Sequence, residues 1–413
     1  MGDNILPSAL RIWEHCEALA RCSEQADGLT RIFLSKEQRA ASDLVLGWMR
    51  DAGMTAKLDE IGNCVGRYEG DRPGSPCLVL GSHLDTVRDA GKYDGMLGVV
   101  AAIECVHALN KHGKRLPFAV EVLGFADEEG VRFGCTLLGS RAVAGTFDRT
   151  LLEKVDHEGV SMRQALADFG LDPAQISCAA HKRDDVLAYA ELHIEQGPVL
   201  EAEGLSVGVV TAINGANRFL IEIDGMAGHA GTVPMNLRQD ALAAAAECVL
   251  AIERRCASVP ELVGTVGKLE TLPNVIPGKV FFTLDIRSPR DAERLGAVAD
   301  VERAMQAICT RRKVALKINP THEGKTAACA PWLMEQIGQA IAAQRLPVRE
   351  LASGAGHDGM ALVDLTDIGM LFVRCKGGIS HNPAEAITLE DVDTSARVFL
   401  RFIENFRPLN ARS

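Results

Sequence analysis

The chain has 413 residues, of which 47% are hydrophobic and 24% charged. This length exceeds that of a single hydrophobic core, so we expect two domains, and the composition excludes a long disordered segment. The formal net charge of −11 argues against a nucleic-acid-binding surface, which would need clustered lysine and arginine. An anionic substrate would therefore need a local basic pocket.

The twelve cysteines are scattered and form no CxxC pair, which predicts reduced thiols rather than a disulfide framework. The first residues, MGDNILPSALRIWEHCEALA, lack the basic start and the continuous apolar stretch of a signal peptide. No apolar run approaches the length that spans a bilayer. We therefore expect a cytoplasmic protein that binds neither a membrane nor nucleic acid.

The first half of the chain has the order strand, helix, strand. Ser35 followed by Gln38 forms a capping-box pattern, and KEQRAASDLVLGWMRDAG then has helical spacing up to Gly53. Short apolar strands that end in charged residues are predicted for PCLVLGSHLDTV and LPFAVEVLGFADEEG, with a helix between them in GMLGVVAAIECVHALNKHG. This order predicts a doubly wound α/β sheet, whose ligand sites lie beyond the carboxyl ends of the strands.

A second pattern begins near residue 213. An alternating strand, a long helix, two strands, another helix and a strand follow one another, which is typical of a ferredoxin-like βαββαβ unit. After KVALKINP the chain returns to α/β character. We therefore predict a larger domain of residues 1–212 and 328–413, with a smaller α+β domain of residues 213–327 inserted into it.

Three residues near the first strand end carry the first chemical signal. His83 and Asp85 lie two apart, which in a strand places both on one side, so the carboxylate can hold the imidazole in one tautomer. Asp94 follows in a GKYDG turn directly before a helix, where it could bridge two cations. A structural His–Asp pair and a helix N-cap are the alternatives for these residues.

The second strand ends in consecutive carboxylates, Asp127, Glu128 and Glu129. Adjacent carboxylates repel one another unless a cation neutralises them, and a metal pair would do so. A solvated acidic loop is the alternative interpretation of this motif. His193 and His381 each follow a buried-looking strand and could reach the same sheet edge. Together these residues give each of two cations imidazole and carboxylate ligands, which suits zinc or manganese.

Eight stretches of the chain together resemble the hydantoinase/carbamoylase branch of the M20 metallopeptidase family. They occur in family order at family-like separations, and they are GSHLDTV, GKYDG, ADEEG, HIEQGP, GHAGTVPM, NVIPG, SGAGHDGM and GGISHNPAE. The resemblance spans nearly the whole chain. It implies an M20-type di-metal catalytic domain, a mixed sheet flanked by helices, with an inserted ferredoxin-like domain that acts in dimerisation and as a lid.

The same resemblance implies the roles of the chemical residues. Asp94 would bridge two divalent ions, with zinc or manganese expected and cobalt or nickel as further candidates. Glu128 would be the general base, and Asp85 would orient a ligand histidine. The five metal ligands would be His83, Asp94, Glu129, His193 and His381. Peptidases of the wider family tend to have a carboxylate at the position of His193, which disfavours a peptidase.

Residues of the inserted domain are implied to complete the site in a homodimer. His229 resembles the histidine that reaches from the partner subunit to polarise the scissile carbonyl. Arg287 and Asn274 resemble the residues that hold the substrate carboxylate, a task that suits a planar guanidinium. Closure of this domain would bring both to the substrate and exclude water.

Three further residues are candidates for substrate binding. Gln196, beside His193, is expected to bind the ureido group. Arg218 could belong to the same pocket or to a surface salt bridge. His357 could lie behind the site or simply begin a helix.

The family branch implies hydrolysis of a ureido C–N bond on a small carboxylate. The sequences GHAGTVPM, SGAGHDGM and MLFVRCKGGISHNPAE most resemble those of allantoate amidohydrolases. This resemblance favours allantoate as substrate, with ammonia, carbon dioxide and ureidoglycine as products. N-carbamoyl-L-amino acids are the alternative, followed by the substrate of a ureidopropionase. A non-catalytic metabolite-binding relic is disfavoured because all ligand positions and the base carry suitable residues.

Overall fold

The structure is a computed structural model that describes residues 5–271 and 275–409. Within these residues the chain forms two compact units. The larger unit comprises the residues up to Thr211, Cys329–Leu351 and the residues from Ala355 onward. The smaller unit comprises Ala212–Ala328 and Ala352–Gly354, so most of it is one continuous insertion.

The described residues form eleven α-helices and fourteen strands. The helices are α1 (Ala9–Ala20), α2 (Lys36–Asp51), α3 (Met96–Lys111), α4 (Leu138–Val143), α5 (Met162–Asp168), α6 (Val199–Ala202), α7 (Ala241–Ala257), α8 (Asp291–Arg312), α9 (Pro331–Ala343), α10 (Gly359–Leu362) and α11 (Leu389–Asn405). The strands are β1 (Thr55–Leu58), β2 (Cys64–Tyr68), β3 (Cys77–His83), β4 (Ala119–Phe125), β5 (Val186–Ile194), β6 (Val207–Ile213), β7 (Gly215–Asp224), β8 (Val263–Thr265), β9 (Leu269–Glu270), β10 (Lys279–Ser288), β11 (Ala315–Gly324), β12 (Ala327–Ala328), β13 (Glu350–Ser353) and β14 (Ile368–Val373).

A mixed sheet forms the centre of the larger unit, with strand order β1-β2-β4-β3-β5-β14-β6. The four middle strands β4, β3, β5 and β14 are parallel to one another, while β1 and β2 on one side and β6 on the other pair antiparallel. The carboxyl ends of the parallel strands therefore meet at one edge. In this register His83 pairs with Phe125, and His193 pairs with Phe372. The predicted α/β class is confirmed.

Helix α2 begins where the capping pattern predicts. The Ser35 side chain accepts a hydrogen bond from the Gln38 main-chain N–H at 3.1 Å. The Gln38 side chain accepts from the main-chain N–H of Leu34 rather than from that of Ser35, so the reciprocal half of the capping box is displaced by one residue. Its amide also donates to the carbonyl of Ala126. The helix is thereby tied to the segment that follows β4.

The smaller unit has the predicted βαββαβ order. Its sheet has strand order β11-β7-β10-β8, all antiparallel, with β9 paired to β10. After the long helix, where the βαββαβ order predicts one strand before β10, the chain forms the two short strands β8 and β9. Helices α7 and α8 pack on one face through Cys248 and Met305, against Ile221 and Ile223 of β7.

All twelve cysteines lie in the described residues and are free thiols. None of the helices within residues 5–271 and 275–409 combines the length and the apolar character that a membrane span requires. Apolar clusters occupy the interior of the described residues, and an extensive one lies between the mixed sheet and helices α1, α2, α3, α9 and α11 of the larger unit. This core fixes the strand ends from which the candidate site is built.

Candidate metal centre

The five residues expected to bind metal come together at the carboxyl edge of the mixed sheet. His83 is the last residue of β3, and His193 is the second-last residue of β5. Glu129 follows β4, Asp94 precedes α3, and His381 lies in the loop after β14. Because β3, β4, β5 and β14 are parallel, their ends deliver side chains to one place, although the residues are far apart in sequence.

Asp94 lies at the centre of this cluster. Its Oδ1 is 3.7 Å from His83 Nε2 and 3.3 Å from His193 Nε2. Its Oδ2 is 3.1 Å from His381 Nε2, which is itself 3.4 Å from Glu129 Oε1. Two groups of three ligand atoms thus share Asp94. We call His83, Asp94 and His193 the inner position, and Asp94, Glu129 and His381 the outer position.

The inner imidazoles have the orientation that a metal ligand needs. His83 Nδ1 lies 3.0 Å from the carbonyl oxygen of Asp85, and His193 Nδ1 lies 2.9 Å from that of Ile194. A carbonyl can only accept, so Nδ1 carries the proton and a neutral ring leaves a lone pair on Nε2. Two such lone pairs aimed at the carboxylate of Asp94 repel it unless a metal ion, or a proton on Nε2, lies between them. The donor set therefore fits a divalent cation.

The group that accepts the Nδ1 proton of His83 is not the one that the sequence predicted. The carboxylate Oδ1 of Asp85 is 3.7 Å from His83 Nδ1, so the main-chain carbonyl of Asp85 is the nearer acceptor. The two carboxylate oxygens of Asp85 instead accept the main-chain N–H groups of Glu128 and Glu129 at 3.0 and 3.1 Å. Asp85 therefore orients the histidine through its backbone and orients the two glutamates through its side chain.

Gly95, the residue after Asp94, packs directly against the ring of His83. The residue has φ of +73°, and a Cβ added to it would lie 2.5 Å from ring atoms of His83. Its N–H donates to His193 Nε2 at 3.2 Å, and it takes the N-cap position of α3. The alternative that Asp94 serves as the N-cap is therefore wrong, and its carboxylate is left for the cluster.

The carboxylates at the end of β4 are buried rather than solvated. Glu128 is 8% exposed and Asp127 is 1% exposed, which excludes a solvated acidic loop. Burial raises the pKa of Glu128 to about 7, with further contributions from the charges of Asp85 and Asp94. Burial and the Glu128 charge likewise raise the pKa of Glu129 to about 8. A carboxylate whose pKa lies near neutrality can both take and return a proton.

Gln196 contacts Oδ2 of Asp94, the oxygen that faces the outer position. Its backbone has φ of +55°, a conformation that is costly outside glycine and persists where the surroundings hold it. Its Nε2 donates to Asp94 Oδ2 at 3.0 Å and to Ser380 Oγ at 3.1 Å. The carboxylate fixes this orientation of the amide, because the reverse would place two oxygens in contact. Gln196 Oε1 is buried and accepts no hydrogen bond from the described residues.

Three buried residues lie behind the site. The sequence indicated His357 only as one of two alternatives, and it did not indicate Glu191 or Glu385. The ring of His357 packs edge-on against that of His193 with centroids 4.4 Å apart, at the start of α10. Glu191 is fully buried and accepts from Ser82 Oγ at 2.7 Å. Its spacing of two from His193 on a strand could have identified it. Glu385 was also missed, because Tyr93 and Asp94, whose main-chain N–H groups it accepts, lie almost three hundred residues away in sequence.

The smaller unit contains the remaining candidates. Arg218 Nε lies 3.0 Å from Asp285 Oδ2, which is the salt bridge that the sequence left open. Arg287 binds both oxygens of the same carboxylate, at 3.0 and 2.8 Å. His229 is exposed, and its Nδ1 accepts the Gly231 N–H at 3.1 Å, so the proton resides on Nε2. The predicted residue Asn274 lies outside the described residues.

A cavity of about 460 Å³ lies elsewhere in the larger unit, beside β2, β3 and β4. Glu121, which is buried there, contacts His181 Nε2 and lies 3.8 Å from Arg67. Burial alone would lower the pKa of His181, but the hydrogen bond that Glu121 accepts from its ring outweighs this effect and raises the pKa. None of the groups of three metal-ligating side chains in the described residues lies there, so we place the chemistry at the Asp94 cluster and not in this cavity.

The chain is similar to known proteins over most of its length. The model of peptidase family M20/M25/M40 matches residues 79–405. The chain belongs to this family.

Individual relatives match nearly the whole chain. Allantoate deiminase 1 of Glycine max is 41% identical to this chain, over 98% of this chain and 91% of that protein. The N-carbamoyl-L-amino-acid amidohydrolase of Pseudomonas sp. (strain NS671) is 39% identical, over 95% and 97%. Among solved structures, an amidase of the hydantoinase/carbamoylase family from Burkholderia multivorans has a TM-score of 0.92 and 32% identity, covering 98% of this chain and all of that one.

Proposed function

We propose that this M20 family member hydrolyses the ureido C–N bond of allantoate and releases ammonia, carbon dioxide and ureidoglycine. The observation that carries the proposal is the pair of three-ligand groups that share Asp94, with buried Glu128 beside them. The histidine at position 193, within HIEQGP, favours a ureido substrate over a peptide. N-carbamoyl-L-amino acids are the second candidate, because the relative from Pseudomonas is almost as similar as the one from Glycine max.

The ligand set suits two divalent cations, zinc or manganese, with cobalt or nickel as further candidates. Such ions lower the pKa of water and withdraw charge from a carbonyl oxygen. Glu128 takes a proton from the attacking water, which adds to the ureido carbon. The same carboxyl group then returns the proton to the departing nitrogen. Ammonia leaves, and the carbamic acid that remains loses carbon dioxide to give the amine.

The unused polar atoms of the site suit a ureido acid. Gln196 Oε1 is an acceptor without a partner in the described residues, and it would accept a ureido N–H. Arg218 and Arg287 share one carboxylate, Asp285, so this group of three has a surplus positive charge for a substrate carboxylate. Asn274 is proposed to act with them. His357, buried against His193, is proposed to hold that ring in place.

His229 is proposed to act across a homodimer formed through the inserted unit, residues 213–327. Its Nε2–H is free to donate to the developing oxyanion, because Nδ1 already accepts a hydrogen bond. Large apolar side chains near it are exposed, with Met226 at 56%, Met235 at 78% and Leu237 at 64%. Exposed apolar groups of this kind mark surfaces that bind another protein.

Mixing two inactive variants tests this shared site. His229→Ala and Glu128→Gln homodimers are each expected to be inactive, whereas their mixture, after subunit exchange, should regain about a quarter of the wild-type rate. The gain arises because one site of each heterodimer combines an intact Glu128 with an intact His229 from the other chain. Native mass spectrometry would verify the exchange. Heterodimers that form without any recovery would place His229 in the site of its own chain.

The proposed reaction is tested by ammonia release from allantoate, from a panel of N-carbamoyl-L-amino acids and from 3-ureidopropionate, and by amino-acid release from a dipeptide. The metal-reconstituted protein should turn over allantoate, and a chelator should abolish this activity. Turnover of the N-carbamoyl panel instead would assign the second candidate, and turnover of 3-ureidopropionate would assign a ureidopropionase. Cleavage of the dipeptide alone would favour a peptidase. Metal-free, inactive protein would favour a binding relic.

A further inference from the structure

Glu385 is a buried carboxylate that connects the loops of two proposed ligands. It is 5% exposed. Its Oε1 accepts the main-chain N–H groups of Tyr93 and Asp94, at 2.8 and 3.2 Å. Its Oε2 lies 3.0 Å from the hydroxyl oxygen of Ser380, the residue before His381. One side chain therefore joins the backbone of the bridging carboxylate to the loop that carries the outer histidine.

The fit of Glu385 against the first of these loops is close. A Cβ added to Gly91 would lie 2.1 Å from the carboxyl carbon of Glu385 and 2.4 Å from its Cβ. A residue with a side chain at position 91 would therefore displace Glu385 from the loop that carries Asp94. The absence of a side chain in this turn provides the space in which the carboxylate lies against the two N–H groups.

The two oxygens of Asp94 have different surroundings. Oδ1 faces the two inner histidines, whose side chains are 3% and 1% exposed. Oδ2 receives Gln196 Nε2 at 3.0 Å and lies 3.0 Å from Ser380 Oγ. It also faces His381, whose side chain is 49% exposed. The inner ligands are thus fixed by burial in the sheet, whereas the outer position depends on contacts that hold an exposed loop.

Ser380 connects both carboxylates through one hydroxyl group. Its oxygen is 3.0 Å from Asp94 Oδ2 and from Glu385 Oε2, and it accepts from Gln196. The single hydroxyl proton can be donated to only one carboxylate at a time. A cation held at the outer position would withdraw charge from the Asp94 carboxylate, which would leave Glu385 as the better acceptor. The hydroxyl lone pairs and the loop are then oriented by Glu385.

We propose that Glu385 is a positioning residue that controls cation binding at the outer position, because it fixes Asp94 and the His381 loop relative to each other. The inference rests on the proposed function in assuming two cations. It concerns the outer position, because only that position includes the His381 loop. Asp94 also belongs to the inner position, but its Oδ1 lies there against two buried histidines, neither of which contacts Glu385 in the described residues. Partners that orient ligands in this way contribute about a tenfold to hundredfold effect on metal affinity.

The experiment titrates the full-length, metal-free protein with Zn²⁺ or Co²⁺ against a chromophoric chelator, which reports the number and affinity of bound ions. Wild type should bind two ions in two steps. The step that is lost in His381→Ala is the one that belongs to the outer position. Glu385→Ala should weaken this outer step by about ten- to a hundredfold and leave the inner step unchanged. The Co²⁺ absorption spectrum of the first equivalent should remain that of wild type.

Two further variants separate positioning from general stability. Glu385→Gln keeps an acceptor for the two N–H groups but presents a donor to Ser380, so an intermediate loss at the outer step is expected. Asp156→Ala is the matched control, because Asp156 is also a buried carboxylate whose Oδ1 accepts two main-chain N–H groups, those of Glu158 and Val160. It lies outside the cluster, so it should leave both metal affinities unchanged even where it lowers the melting temperature.

The outcomes distinguish this inference from the proposed function. Wild type that binds no cation would overturn both. Two wild-type steps that are unchanged in Glu385→Ala would overturn the role of Glu385 alone. Equal weakening of both steps would also overturn it, because the effect would then not be specific to the outer position. If Glu385→Ala does not fold, Ser380→Ala and Glu385→Gln decide the question by the same criterion.

Discussion

Replacing Glu128 with glutamine is expected to lower kcat by about a hundredfold to ten-thousandfold. Glutamine preserves the size of the side chain but cannot take a proton from water or return one to the leaving nitrogen. Glu128 belongs to neither the inner nor the outer position, so both cations should remain bound. Steady-state ammonia release, together with elemental analysis of the purified variant, measures the two expectations separately.

Glu121→Gln provides the matched control for this variant. Glu121 is also a buried glutamate of the β4 region, but it lies in the His181 contact away from the cluster. Its replacement should leave kcat near the wild-type value even if it lowers stability. Substantial turnover by Glu128→Gln, with metal content equal to wild type, would show that another group is the base.

Replacing Asp94 with alanine is expected to remove both cations and with them all measurable turnover. Asp94 is the one residue common to the inner and outer groups, so its loss leaves each cation with two ligands. The affinity for each ion should fall by more than about a hundredfold, the upper range for a residue that only orients a ligand. Metal content after dialysis and the titration against a chelator measure this loss.

His193→Ala is the comparison variant for Asp94→Ala, because it removes a ligand of one position only. His193 belongs to the inner group, so this variant should lose the inner ion and retain an outer one. Circular dichroism should show the wild-type helix content in both variants, since the mixed sheet and its core do not depend on these side chains. Retention of two ions by Asp94→Ala would contradict a bridging role for this carboxylate.

Much of the fold was predictable from local patterns. The strands that end at His83 and Phe125 are continuous apolar runs followed by charged residues, and such runs are typical of buried parallel strands. Helix α2 and the βαββαβ order of the smaller unit follow from capping and periodicity in the same way. The convergence of five distant residues then follows from the parallel arrangement of the strand ends.

The remaining features depend on contacts that no local pattern contains. The capping-box pattern predicted helix α2 but not the tie between Gln38 and the carbonyl of Ala126, which lies beyond β4. The His83–Asp85 spacing predicted a contact but not that the carbonyl would be the nearer acceptor, because this depends on where the N–H groups of Glu128 and Glu129 point. Glu385 resembles any other glutamate in sequence, and only the folded chain brings it to Tyr93.

The composition of the proposed ligand set has a consequence for how substrate reaches the site. With two divalent cations bound as proposed, three neutral imidazoles and two carboxylates would give the ligand set a surplus positive charge, whereas the chain as a whole carries −11. A carboxylate substrate is therefore repelled at long range and attracted only at close approach. Because the Debye length is about 8 Å at physiological ionic strength, dissolved salt screens the distant repulsion more than the attraction within the site. The ionic medium of a cell thus favours the encounter of an acidic protein with an anion.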